Sequence, residues 1–231
     1  MPSYSLTLEI SSADLAVIKA AGMRVTLAKP VGSGDPSVIW LAIDPYQSTV
    51  IQWDEQYWIY ASTTAIVHGA TVTKLAEISP GPAIDAGIYS FGPSGEFGAF
   101  EPISSIPAGT YAVANYMPYS QFPLLTFGLS QSAQVSQQLA ERKPISVQPV
   151  LSQQKTELTP SPQIFIWLQN QFSSETIITR ITANVTIARF GTGISDLTMV
   201  YNPQLGIFVP TTNLKEMIEN NIVELRTPLL I

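Results

Sequence analysis

Pro36 to Ala70 reads PSVIWLAIDPYQSTVIQWDEQYWIYASTTAIVHGA, and this stretch decides the fold class. It holds Trp40, Trp53 and Trp58 of the 4 Trp, Tyr46, Tyr57 and Tyr60 of the 9 Tyr, and His68, the only His. Ser37 to Ile43 is an apolar run cut by Asp44-Pro45, where proline removes a ladder donor and fixes φ. Thr49 to Ala61 is rich in β-branched and aromatic residues, which suit a pleated surface. Successive strand side chains point to opposite faces. Trp53, Glu55, Tyr57 and Ile59 are therefore expected on one face, and Asp54, Gln56, Trp58 and Tyr60 on the other. Rings fall on both. One set is expected to fill a core, while the other covers a second layer, meets a partner or receives a ligand.

Upstream, Tyr4 to Ile10 alternates as a strand does. Ser11-Ser12-Ala13-Asp14 then reads as an N-cap with an acid in the first turn, opening a short helix closed by Gly22. Met23 to Ala28 is a further strand, and Lys29-Pro30 to Asp35-Pro36 is a turn-rich loop. Downstream, Thr71 to Ile78 alternates again and Ser79 to Pro82 is loop. Ala86 to Phe91 and Phe97 to Phe100 predict a hairpin around Gly92-Pro93-Ser94-Gly95, and Gly109 to Asn115 a short strand. Tyr116-Met117-Pro118-Tyr119-Ser120-Gln121-Phe122-Pro123 packs three rings and a Met into a proline-punctuated loop. It reads either as a contact surface or as a lid over the core.

From Leu125 the pattern starts again. Leu125-Thr126-Phe127 echoes Leu6-Thr7-Leu8, Ser132-Ala133 echoes Ser12-Ala13, and Gln148-Pro149-Val150 echoes Lys29-Pro30-Val31. Ile166-Trp167-Leu168 repeats Ile39-Trp40-Leu41. Ser152 to Pro162 is a polar loop longer than its counterpart. Ile177 to Phe190, Leu197 to Tyr201 and Gly206 to Val209 follow as strands. Asn213 with Glu216 forms a capping box, and Ile222 to Ile231 is a closing strand broken by Pro228. The reading is a mainly β chain of β-sandwich type, in two tandem similar halves. These span 1–120 and 121–231, as two units or one pseudo-symmetric domain. One short helix lies near the start of the chain and one near the C-terminus.

Composition narrows the function. Charged residues are 12% of the chain, about half the usual share of roughly 25%. Charge on edge strands normally prevents edge-to-edge pairing, so its scarcity points to a homo-oligomer. The net charge of −6, with no Lys/Arg cluster to neutralise phosphates, argues against nucleic acid and against purely electrostatic attraction to anionic lipid. Cys is absent, so neither disulfides nor thiolates contribute. MPSYSLTLE lacks a basic n-region and an apolar h-region, and no apolar run approaches the ~20 residues of a membrane-spanning helix. A soluble chain is expected, cytoplasmic as written or exported without a recognisable signal peptide.

Ile10-Ser11, Ala13-Asp14-Leu15 and Ile18-Lys19-Ala20-Ala21-Gly22, followed by Val38-Ile39-Trp40 and Gln52-Trp53, give the opening about 60 residues a family look. The segment resembles a group of uncharacterised small microbial β-rich proteins, with Ile164 to Leu168 as a second point of likeness. No activity is known for that group, so the resemblance implies no catalytic or binding residue.

Reactive chemistry finds little footing. Nucleophilic catalysis needs a base beside a hydroxyl or thiol, and oxyanion donors. His68 is the sole imidazole, no Gly-x-Ser-x-Gly is present, and no catalytic residue is assigned. Zinc draws on several His or Cys ligands. Asp44, Asp54 and Glu55 are close in sequence but lack the spaced pattern of a calcium loop. No metal or cofactor is expected. Gly191-x-Gly193 lacks the rest of a dinucleotide fingerprint. Asn184-Val185-Thr186 is a formal sequon in an expected strand.

The function expected is that of a non-catalytic binding protein, lectin-like or toxin-like. It would contact a glycan, a lipid surface or a protein receptor through Tyr46, Trp58, Tyr60, Tyr116, Met117 and Tyr119, where rings sit beside amides and hydroxyls. The alternative is a structural protein that self-assembles through β edges.

Overall fold

The alternation at the start of the chain becomes β1 (Ser3–Glu9), which buries Leu6 and Leu8. The computed structural model describes residues 2–191 and 193–227. The expected cap starts α1 (Ser12–Ala20): Ser11 Oγ accepts the Asp14 amide at 3.1 Å, and Gly22, at φ 65°, turns the chain out of the helix. Then come β2 (Arg24–Ala28), β3 (Leu41–Ile43), β4 (Ser48–Asp54), β5 (Trp58–Ser62) and β6 (Lys74–Glu77). The expected hairpin follows as β7 (Gly87–Phe91) and β8 (Phe97–Pro102), then β9 (Tyr111–Asn115) and a long β10 (Leu124–Val135). The chain continues through β11 (Gln138–Pro144), β12 (Gln148–Leu151), β13 (Lys155–Leu158), β14 (Gln163–Gln169) and β15 (Val185–Arg189). It ends in β16 (Asp196–Asn202), β17 (Ile207–Pro210), α2 (Leu214–Glu219) and β18 (Val223–Arg226). Strands make up 48% and helices 7% of the chain, so the protein is mainly β, with one helix near each end.

The apolar run Ser37 to Ile43 is buried, but only its last three residues form a regular strand. Its first part divides its backbone between two partners. The Trp40 amide donates to Leu27 O at 3.0 Å, and the Ile39 amide donates to Thr176 O at 2.9 Å. Thr49 to Ala61 also departs from expectation, because it is not one strand. The Gln56 amide folds back onto Asp54 O at 2.8 Å and the Glu55 amide reaches Pro2 O at 3.1 Å, which ends the ladder. β4 and β5 then lie on either side of β10. The expected two-face alternation holds only within β4, where Thr49, Ile51 and Trp53 are buried.

β10 organises a 9-stranded sheet of order β17-β16-β1-β4-β10-β5-β6, with β11 and β12 paired to β10. A 5-stranded sheet runs β18-β15-β14-β2-β3, and a 4-stranded one β13-β9-β7-β8. Leu8 and Ile51 of the first, Leu27 and Ile166 of the second, and Phe91 and Val113 of the third belong to one apolar cluster. Burial of such side chains is worth roughly 1.5–3 kcal/mol each, so this shared cluster joins the sheets.

Residues 1–120 and 121–231 do not own separate sheets. β1 pairs with β16, β2 with β14, and β9 with β13. The echoed triplets Leu6-Thr7-Leu8 and Leu125-Thr126-Phe127 both lie in the 9-stranded sheet. Ser12-Ala13 opens a helix, whereas Ser132-Ala133 lies within β10. The echo holds where both segments need strand alternation and stops where a cap is required.

Ser152 to Pro162 is not all loop: β13 forms inside it, its Lys155 and Glu157 side chains left outside on a sheet edge. Ile177 to Phe190 yields a strand only at β15, because the polar stretch before it makes only isolated bridges at Thr176 and Ile177. Of the expected strand Ile222 to Ile231, Val223–Arg226 is present and residues 228–231 lie outside the described residues. At Gly128 of β10 a side chain is impossible without rearrangement: a Cβ there would stand 1.9 Å from Ser146 O and 2.7 Å from the Tyr60 hydroxyl.

Candidate functional site

The loop from Tyr116 to Pro123 is hung from the core at both ends. Asn115 is fully buried; its Nδ2 donates to Val150 O at 2.9 Å and its Oδ1 accepts the Met117 amide at 3.1 Å. Tyr116 N donates to Phe91 O at 2.8 Å. Ser152 Oγ donates to Met117 O at 2.7 Å, and the Gln121 and Phe122 amides both close on Pro118 O. On this frame Tyr116 is 51%, Tyr119 74% and Phe122 37% exposed. Leu124 and Leu151, register partners across β10 and β12, add 46% and 49%. Exposed rings on the loop therefore adjoin exposed leucines on the β10–β12 pair, and backbone bonds hold the loop in place.

Met117 is not part of that surface. It is 3% exposed and joins the main apolar cluster, so it anchors the loop. Tyr60 is corrected in the same way: it is fully buried, donates from its hydroxyl to Ser146 O at 2.6 Å, and burial pushes its phenol well above the ordinary range. A strand covered on both faces leaves no open side for it. Trp58, half-buried, lies under the Arg142 guanidinium at 5.6 Å. Tyr46 is exposed, with the Lys19 ammonium 5.3 Å from its ring, and lines a separate groove of about 770 Å³ with Arg24, Asp44, Leu139 and Lys143. Of the residues nominated from sequence, the structure gathers Tyr116 and Tyr119 on one loop. Tyr46 and Trp58 lie in other settings.

His68 accepts the Thr179 amide on Nδ1 at 3.1 Å and stands edge-on to Phe172, an ordinary structural setting. The acids near each other in sequence turn apart: Asp44 pairs with Arg24, Asp54 accepts the Ser3 hydroxyl, and Glu55 points at Lys29. Among the described residues no cluster of His, Asp or Glu is placed to hold a metal. The sequon's Thr186 is buried in β15 and donates to Phe208 O at 2.6 Å.

Two polar clusters escaped the sequence reading. Glu77 on β6 accepts from Lys74, Arg142 and Ser130, and burial lowers Lys74 against the pull of Glu77. Deeper, Lys29 is 1% exposed. Its Nζ lies 2.7 Å from Gln131 Oε1 and 3.2 Å from Glu55 Oε1, with the rings of Trp40 and Trp53 each 5.3 Å away. Glu55 also accepts from Trp53 Nε1 and the Tyr57 hydroxyl. Burial pulls Lys29 below the ordinary lysine value despite Glu55, and raises Tyr57 well above its own. The available signal was a lysine closing an apolar strand, Val25 to Lys29. Glu55 and Gln131 are brought to it only by the tertiary fold.

Compared with known proteins, the chain finds no matching family model, no matching curated sequence and no matching solved structure. The resemblance of the opening segment therefore brings no site residue with it. No helix among the described residues is long and apolar enough to cross a membrane.

Proposed function

We propose that the protein is a non-catalytic binding protein that docks on a lipid surface through the Tyr116–Leu124 loop and Leu151. The observation that carries this reading is the exposure of Tyr116, Tyr119, Phe122, Leu124 and Leu151 on a hydrogen-bonded loop and the adjoining strand pair. Tyrosine suits the boundary between headgroups and acyl chains, with an apolar ring and a polar tip, and leucine and phenylalanine supply area below it. Each such residue taken out of water contributes roughly 1–2 kcal/mol. With a net charge of −6, attachment runs on apolar area and is insensitive to salt.

Self-assembly through β edges is less well supported. Four edge strands carry charges or a proline: Lys74 and Glu77 on β6, Glu101 and Pro102 on β8, Lys155 and Glu157 on β13, Glu224 and Arg226 on β18. Such residues blunt edge pairing. A second copy meeting the same apolar loop is the alternative occupant.

Co-sedimentation with phosphatidylcholine vesicles tests the proposal. The wild-type chain is expected to pellet at low and high salt, and Tyr119→Ser combined with Phe122→Ser to stay in solution. A wild-type chain that stays in solution, or that light scattering finds as a dimer dispersed by the same double substitution, overturns the lipid reading.

A further inference from the structure

The Lys29 cluster lies inside the molecule, apart from the exposed loop, and holds an amine, a carboxamide and a carboxylate in contact. Lys29 follows β2 of the 5-stranded sheet, and Gln131 belongs to β10 of the 9-stranded one. Lys29 Nζ is 2.7 Å from Gln131 Oε1 and 3.2 Å from Glu55 Oε1. The Gln131 amide is fixed: Nε2 donates to Asp54 O at 2.7 Å. The Tyr57 hydroxyl donates to Glu55. The rings of Trp40, Trp53 and Tyr57 surround Lys29 Nζ at 5.3, 5.3 and 5.6 Å, and Glu55 keeps 19% of its side chain exposed. Holding reactants in contact removes most of the entropic barrier to their reaction.

We propose that Lys29 and Gln131 join through an intramolecular amide bond between the two sheets, with Glu55 as the proton carrier. The Lys29 ammonium passes a proton to Glu55. The freed Nζ lone pair adds to Gln131 Cδ, which is one bond from the oxygen Nζ already touches, and the carbonyl electron pair moves onto Oε1. Protons released from Nζ are carried by Glu55 to Nε2. The Cδ–Nε2 bond then breaks as the carbonyl re-forms. An ammonium and a carboxamide become a secondary amide and a free ammonium ion; nothing is oxidised or reduced, and Glu55 ends as it began. Burial favours the neutral amine that must attack.

Mass spectrometry of the intact, purified chain is the test. The wild-type protein is expected to weigh one ammonia less than its sequence, and digestion to give a branched peptide joining Lys29 to Gln131. Lys29→Met and Gln131→Met are expected to show their full sequence masses. Glu55→Gln, which keeps the size of the side chain, is expected to lose the mass deficit as well. A wild-type chain at full sequence mass overturns the bond, and this reading does not depend on whether any variant folds. A Glu55→Gln chain with the same deficit overturns the role given to Glu55.

Discussion

Lys29 and Gln131 stand 102 positions apart in the chain and meet at 2.7 Å, Nζ to Oε1, between two sheets. Their meeting explains why the aromatic stretch folds as it does. Trp40 Nε1 donates to the Gln131 backbone carbonyl at 3.0 Å, and Glu55 leaves its strand to face the lysine at 3.2 Å. The rings of this stretch are spent largely on housing the Lys29 side chain.

Replacing Lys29 by Ala is therefore expected to be severe. Removing Lys29 leaves Glu55 and Gln131 without their donor, at a cost of about 1–3 kcal/mol for each group left unsatisfied. Urea unfolding of the purified variant should show that loss as a lower midpoint. A midpoint within about 0.5 kcal/mol of wild type, the range of ordinary surface changes, would contradict the structural role of the cluster.

Gly128→Ala is expected to be the worst small substitution in β10. The new Cβ would meet Ser146 O at 1.9 Å and the Tyr60 hydroxyl at 2.7 Å. One contact is backbone and the other belongs to a buried ring, so neither yields cheaply. Overpacking typically costs about 1–3 kcal/mol and occasionally more, and this site belongs at the upper end. The check is a thermal melt against Gly98→Ala, whose closest contact is the Ser90 hydroxyl, with the Ser90 carbonyl 3.6 Å away.

How far the sequence carried the reader differs by element. α1 and the β7–β8 hairpin were legible because their determinants are local: Ser11 with Asp14 and Gly22, and a Gly-Pro-Ser-Gly turn. The break in Thr49 to Ala61 was not, because it answers to Lys29 and to Pro2, which no window around Glu55 contains. β13 hid inside a polar stretch because an edge strand displays Lys155 and Glu157 to solvent. Among the nominated residues, Tyr116 and Tyr119 are exposed, though the proline-punctuated loop read equally as a lid. Tyr60 and Met117 are buried, because ring or thioether content alone does not say which way a side chain faces.

The tyrosines predict alkaline lability. Burial raises Tyr57 and Tyr60 well above the ordinary phenol value and Tyr111 to about 12. A phenol with a raised folded pKa stays protonated in the native state while the unfolded chain loses its proton. Its contribution is complete below about pH 10 and is lost as pH rises further. Lys74 acts with the opposite sign, being lowered by burial; its penalty is gone above the ordinary lysine value. Stability should fall above about pH 10, with phenolate absorbance rising together with unfolding. Phenolate that appears in full before the far-ultraviolet signal changes would contradict this.

The edge strands give the last prediction. β13 pairs only with β9 in its sheet, and Lys155 and Glu157 are both exposed on it. A strand edge offers unpaired amides and carbonyls to any neighbour, and charge deters that pairing by forcing desolvation on contact. With only 12% of the chain charged, few other residues perform this task. Lys155→Val combined with Glu157→Val removes one positive and one negative charge, so net charge is unchanged and only the edge is altered. The double variant should keep the wild-type fold by circular dichroism yet form growing particles by light scattering at concentrations where the wild type stays constant. Equal scattering from the two would mean that the β13 edge is protected by something other than its charges.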